Sequence, residues 1–289
     1  MFGIYFGAYL VEKGIVSQNQ LDEIIEKCRN SRVKLGFLAT ESGLMTKEQA
    51  EEVNQLQQQL DKRFGDIAVE KGYLDDAQVS YLLKQQGDGY LLFVQTISEA
   101  GFLSVDDISK EIQRFAEAKG YSEKDIEAFK TCDVDKEIAV FTDKADITEF
   151  YKRYIQLTAR FIVRFVDPNV SIDKIKKLSE YDCSFIAKQG FNGECNFTSA
   201  FSGSDKAMIM VAESILKEEL TQVDMDTLDA DCEFLNMNNG LIARESYDDG
   251  VEIDMLPPEM FDTPQKLTGE IILAPFTIHG EKLDLVIVI

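Results

Sequence analysis

Histidine is almost missing from this chain: His279 stands alone among 289 residues. A metal centre built on several imidazoles is thereby excluded. Cysteine is scarce and scattered, with Cys28, Cys132, Cys183, Cys195 and Cys232 forming no C-x-x-C pair and an odd total. That usage fits a reducing cytoplasm rather than a disulfide framework or a zinc site. Long apolar runs are missing too. The opening "MFGIYFGAYLV" has no basic n-region and no cleavage pattern, and nothing approaches the ~20 apolar residues of a membrane span. A cytoplasmic location is expected. Basic residues are few, 30 against 52 acids, for a net charge of −22. The imbalance is steepest between Glu213 and Asp254, where 13 acids face only Lys217 and Arg244. Such a surface repels phosphate backbones and anionic lipid, which argues against nucleic acid and membrane as partners. It attracts a basic protein patch, or a partner that supplies a lysine.

What the chain does have is length for two domains, each able to bury a core, and an internal repeat. Gly14, Gly43, Gly72 and Gly101 are spaced 29 residues apart, as are Gly7, Gly36 and Gly65. The later glycines precede apolar pairs and then Ser17, Thr46, Asp75 and Ser104, with Gln20, Gln49, Gln78 and Asp107 three positions on. These are N-cap and capping-box positions, so each glycine reads as a left-handed helix C-cap. The unit is a short helix, a glycine turn and a longer helix. Four of them predict an all-α domain over residues 1–115.

The copies "KLGFLATESGLMTKEQAEEVNQLQ" (34–57) and "RFGDIAVEKGYLDDAQVSYLLKQQ" (63–86) resemble the tandem motif in the N-terminal domain of type II secretion and type IV pilus ATPases. In some members of that family two adjacent motifs bind cyclic di-GMP. The resemblance implies a candidate ligand set of Lys34, Gly36, Gly43, Gln57, Arg63, Gly65, Gly72 and Gln86. The same glycines are needed simply to end helices, so a protein-docking or spacer role stays open. No Walker A sequence follows, so the ATPase itself is absent.

Residues 116–145 read as a polar connector with one short helix near Glu123–Lys130. In "DITEFYKRYIQLTARFIVRFVD" (146–167), Phe150, Tyr154, Leu157, Phe161 and Phe165 recur at helical spacing, with Asp146 as the expected cap. Beyond Pro168 the period drops towards two. The segments "DCSFIAKQGF", "GECNFTSAFSG", "VEIDML", "GEIILAPFTI" and "KLDLVIVI" are strand candidates, the last two forming a hairpin at Gly280-Glu281. Two helices interrupt them: "SDKAMIMVAESILKEE", capped near Ser204, and one starting near Asp229. Residues 146–289 are therefore expected to form an α+β domain with a mainly antiparallel sheet.

The second of those helices contains "CEFLNMNNGLIA" (232–243). Leu235, Met237, Leu241 and Ile242 suit a buried stripe, while Asn236, Asn238 and Asn239 crowd between them. Glu233 and Asn236 are three residues apart and share a helix face. One reading makes this a helix end, with Glu233 a solvated acid and the asparagines and Gly240 closing the helix. The other follows from family resemblance. "DADCEFLNMNNGLIARES" followed by "IDMLPPEMF" resembles the E-x-x-N-M-x-x-G helix and proline-ended strand of the CheC/CheX chemotaxis phosphatases, over residues 146–289. That family removes phosphate from the phospho-aspartate of CheY-like receiver domains. By that resemblance Glu233 binds the receiver's lysine and Asn236 orients the attacking water. The partner is then a phosphorylated receiver, Mg2+ travels with it, and this chain binds no cofactor or metal of its own. Related domains pair through their sheets, so a homodimer is a further expectation. A second motif around Glu213 has Leu216 at its third position. The alternative function is a non-enzymatic signalling adaptor, or a cyclic di-GMP sensor acting through residues 34–86.

Overall fold

A glycine that ends a helix must turn left-handed, a conformation that costs other residues about 1–2 kcal/mol. In the computed structural model φ is +71° at Gly14, +66° at Gly43, +70° at Gly72 and +77° at Gly101. The structure describes every residue except Met1 and Asp61, and every other side chain except those of residues 58–60. Two compact units emerge, Met1–Asp133 and Val134–Ile289.

The first unit is helical throughout its described residues: α1 (Phe2–Glu12), α2 (Gln18–Arg29), α3 (Leu35–Glu41), α4 (Lys47–Leu60), α5 (Phe64–Glu70), α6 (Asp76–Gln85), α7 (Gly89–Glu99), α8 (Val105–Lys119) and α9 (Glu123–Lys130). Ser17 with Gln20, and Asp75 with Gln78, form reciprocal capping boxes. Thr46 and Gln49 exchange the same pair of bonds. The earlier glycine of each unit has a different job. A Cβ on Gly7 would lie 2.4 Å from Leu21 Cδ1, one on Gly36 3.0 Å from the Phe64 ring, and one on Gly65 2.8 Å from Val79 Cγ1. Small residues there let each short helix press against its neighbour. One core gathers Val33, Leu38, Val53, Ile67 and Leu82. The rings of Phe2, Phe6, Tyr9, Phe93 and Phe115 pack together elsewhere in the unit.

The second unit opens with α10 (Val134–Thr142), which packs on α11 (Glu149–Phe165). The sequence reading left 134–142 as connector. It missed α10 because only three of the buried residues of so short a helix are apolar, Ile138, Val140 and Phe141, while Glu137 and Thr142 are buried beside them. Thr148, not Asp146, is the N-cap of α11; the Asp146 carboxylate instead accepts from Lys177 Nζ at 3.0 Å.

Seven antiparallel strands follow: β1 (Ser171–Ile172), β2 (Lys176–Cys183), β3 (Ile186–Gly193), β4 (Phe197–Gly203), β5 (Ile253–Phe261), β6 (Gln265–Ile278) and β7 (Glu281–Val288). Their order is β1-β6-β7-β4-β3-β5, with β2 also paired to β6. The segment 182–191, read as one strand, breaks at Ser184-Phe185 between β2 and β3. β2 itself escaped the sequence reading because "KKLSEYDC" buries little of itself. The β6–β7 hairpin turns at His279 (φ +45°) and Gly280 (φ +82°).

Between β4 and β5 come α12 (Asp205–Leu216), capped by Ser204, and α13 (Met225–Asp248). Asp224 caps α13, which starts four residues before the expected Asp229. The helix runs unbroken through Asn236, Asn238, Asn239 and Gly240. The helix-end reading of that stretch is therefore overturned. Phe234 anchors α13 against Phe161 of α11 and Phe201 of β4.

Candidate active site

A helix turns about 100° per residue, which puts Glu233 and Asn236 ~60° apart on α13. Glu233 is exposed and Asn236 half-buried. Glu233 has no hydrogen-bond or salt-bridge partner among the described residues. Met237 and Leu241, expected in the buried stripe, lie on the exposed arc instead, 40% and 42% accessible. Their places inside are taken by Asn238 and Asn239, both 0% accessible.

That inversion of polarity is supported by partners for every polar end of the two buried amides except Asn238 Oδ1, which is buried without one. Asn239 Nδ2 donates to Gln189 Oε1 at 2.8 Å and to Ser199 Oγ at 3.0 Å, while its Oδ1 accepts from the Tyr154 hydroxyl. Asn238 Nδ2 donates to Thr158 Oγ1 at 3.1 Å. Gln189, 2% accessible on β3, donates through Nε2 to Asn236 Oδ1 and to the Leu256 carbonyl, both at 2.8 Å. A buried polar group without a partner costs about 1–3 kcal/mol, so these bonds decide whether α13 can seat at all. Burial also pushes the Tyr154 hydroxyl pKa well up, keeping it a neutral donor.

Sequence reasoning missed Gln189, Ser199 and Thr158. The available signal was polarity at strand and helix positions that otherwise point inward. Around the pair, the exposed surface carries Met237 and Leu241 from α13 and Met255 and Leu256 from the edge strand β5. Asp226 and Asp229, also exposed, extend the same face of α13 towards its N-terminus. Two clefts lie elsewhere in this unit. One, of about 450 Å³, is lined by Leu157, Phe161 and Arg164 with Leu241 and Arg244. The other, of about 580 Å³, lies around Tyr181, Ser202 and Asp284. Neither includes Glu233 or Asn236. Glu213, in the position of the second motif, uses its carboxylate to accept from the Leu220 N–H at 2.8 Å.

The ligand set expected in the first unit is dispersed in role. Gly36 and Gly65 sit under neighbouring side chains, and Gly43 and Gly72 are left-handed caps. Lys34 pairs with Glu99 at 3.0 Å, and Gln86 Nε2 donates to the Val33 carbonyl at 2.9 Å. Gln57 and Arg63 are exposed. Among the described residues no helix is long and apolar enough to cross a membrane.

Residues 185–270 match the family model of the chemotaxis phosphatase CheX. That span holds Gln189 and all of α13, so the second unit carries a CheX-like domain. Solved structures similar to part of this chain include the chemotaxis protein CheX of Desulfovibrio desulfuricans, at 17% identity over 48% of this chain and 98% of that one, TM-score 0.42. CheX of Vibrio vulnificus matches at 17% identity over 49% and 99%, TM-score 0.43. The CheX–CheY–BeF3–Mg2+ complex of Borrelia burgdorferi matches at 15% over 48% and 97%, TM-score 0.40. At these identities and TM-scores the likeness assigns no residue a role. No curated protein matches the chain.

Proposed function

We propose that this protein removes phosphate from the phospho-aspartate of CheY-like receiver domains, with Glu233 and Asn236 as its catalytic residues. One observation carries the reading. Inside the span that matches the CheX family model, an unpaired carboxylate and a held amide share one exposed face of a buried-anchored helix. Hydrolysis of an acyl phosphate asks for little covalent chemistry, so positioning and charge placement supply most of the acceleration. Glu233 engages the lysine of the receiver's phosphorylation site. Asn236 reaches the phosphoryl group and holds the attacking water in line through a hydrogen bond from its amide. Mg2+ belongs to the receiver. Met237, Leu241, Met255 and Leu256 form the apolar rim against which a receiver seats, and Asp226 and Asp229 favour a basic surface on it.

The test is phosphate release from a CheY-type receiver phosphorylated with acetyl phosphate. The full chain should accelerate it, and replacing Glu233 and Asn236 together with Ala should abolish the acceleration. An unchanged rate in the double variant sinks the assignment.

A further inference from the structure

Asn236 makes one side-chain hydrogen bond among the described residues, and that bond decides which end of its amide meets a partner. The polarity can be worked out from groups whose chemistry leaves no choice. A backbone carbonyl only accepts. Leu256 O lies 2.8 Å from the Gln189 amide, so the end of Gln189 facing it must be Nε2. The other end of the network follows from that orientation. Gln189 Oε1 then faces Asn239, which donates to it through Nδ2 and takes the Tyr154 hydroxyl proton on Oδ1. The Leu256 carbonyl therefore sets the polarity of Gln189, and the hydroxyls of Tyr154 and Ser199 adapt to it. The second N–H of Gln189 points at Asn236, which must answer with Oδ1, at 2.8 Å. A flipped Asn236 would set two donors against each other.

The backbone is shaped to make this possible. β3 pairs with β5 as Gln189↔Pro258 and then Phe191↔Met255, so Leu256 and Pro257 together face Gly190 alone. This is a β-bulge on the edge strand, where Pro257 and Pro258 have no N–H to give to the ladder. The bulge brings the Leu256 carbonyl to the Gln189 side chain. A Cβ on Gly190 would lie 3.0 Å from Leu256 Cδ1, so the bulge is also closely packed.

We infer that Gln189 is a positioning residue for Asn236, locking its amide with Oδ1 turned into the fold and the Nδ2 amino group turned out to the partner. This rests on the phosphatase reading and sharpens it. The group offered outward is a pair of hydrogen-bond donors, suited to the oxygen of the attacking water or of the phosphoryl group. Without the lock, a half-buried asparagine is free to flip and to change rotamer, and half of its orientations present the wrong polarity.

The experiment has two arms on the full-length chain. In the first, phosphate release from an acetyl-phosphate-loaded CheY-type receiver is measured for wild type, Gln189→Met, Asn236→Ala and the double variant. Gln189→Met keeps the length of the side chain and removes its donors. It should lower kcat about tenfold or more with KM within about twofold, and add nothing further in the Asn236→Ala background. In the second arm, side-chain amide exchange is followed by NMR in the wild type. The Gln189 NH2 pair should exchange slowly and the Asn236 pair fast. An active wild type with unchanged kcat in a folded Gln189→Met overturns the positioning role and leaves the phosphatase reading intact. Protection of the Asn236 pair instead of the Gln189 pair overturns the lock directly, whether or not Gln189→Met folds. A wild-type chain that releases no phosphate overturns the phosphatase reading, and the catalytic use of the lock with it.

Discussion

Asn239 Nδ2 donates to Gln189 Oε1 at 2.8 Å, joining residues 50 positions apart in the interior of the second unit. The bond ties α13 to the sheet beneath the candidate site. Replacing Asn239 with Leu keeps the branched shape, with somewhat greater bulk, but leaves the Tyr154 hydroxyl and Gln189 Oε1 without their partner. Each orphaned group costs about 1–3 kcal/mol. Asn239→Leu is expected to lower unfolding stability by that order in urea titrations, although asparagine is the weaker helix former.

On the phosphatase reading, Glu233 serves function without holding the fold, and Glu233→Ala should leave the melting midpoint near the wild-type value. Asn236→Ala also orphans a buried Gln189 N–H, so a loss of about 1–3 kcal/mol is expected with it. Each substitution should cut receiver dephosphorylation by about 10²-fold, the usual scale for removing one preorganised polar contact to a transition state. A large drop in melting temperature for Glu233→Ala would mean that the side chain is structural.

Asp231, two residues before Glu233, is fully buried and neither carboxylate oxygen has a partner. Burial raises its pKa well above the usual carboxylate value. Unfolded, the same group ionises at about 4. Between those two values the folded state holds a proton that the unfolded state has lost, so stability is full below about pH 4 and falls as pH rises through the folded pKa. Asp231→Asn removes that slope. The variant should be more stable than wild type at pH 7 by about 1 kcal/mol or more, one pKa unit being worth ~1.4 kcal/mol. The advantage should shrink on acidification towards pH 4. Denaturation curves at pH 4, 5.5 and 7 distinguish this from a pH-independent packing effect.

In the first unit, Gly65→Ala would drive a methyl to within 2.8 Å of Val79 Cγ1. Overpacking of this kind costs about 1–3 kcal/mol. Val79→Ala in the same chain should recover part of the loss in a thermal melt, since it removes the atom that is struck.

Cyclic di-GMP should give no calorimetric signal at high micromolar concentration. The glycines of the candidate set are occupied by helix packing and helix ends, and Lys34 is drawn to Glu99. Heat that disappears in Arg63→Ala would reverse this expectation and favour a sensor.

Local signals carried much of the fold because their physics is local. The 29-residue glycine spacing located the left-handed turns, and Ser17, Thr46, Asp75 and Ser204 located helix starts by the bonds their own side chains make to nearby N–H groups. The Glu233–Asn236 spacing fixed a shared face for the same reason. The inside and outside of α13 were not local. Read alone, "FLNMNNGL" has its apolar residues and its amides on the wrong sides. Met237 turns out and Asn239 turns in because Tyr154, Gln189 and Ser199, 40 to 85 residues away, supply donors and acceptors that no spacing rule can place. Sequence determined that a carboxylate and an amide would stand together on a helix. Only the tertiary structure decided that the amide would be held, by which end, and by a glutamine on the neighbouring strand.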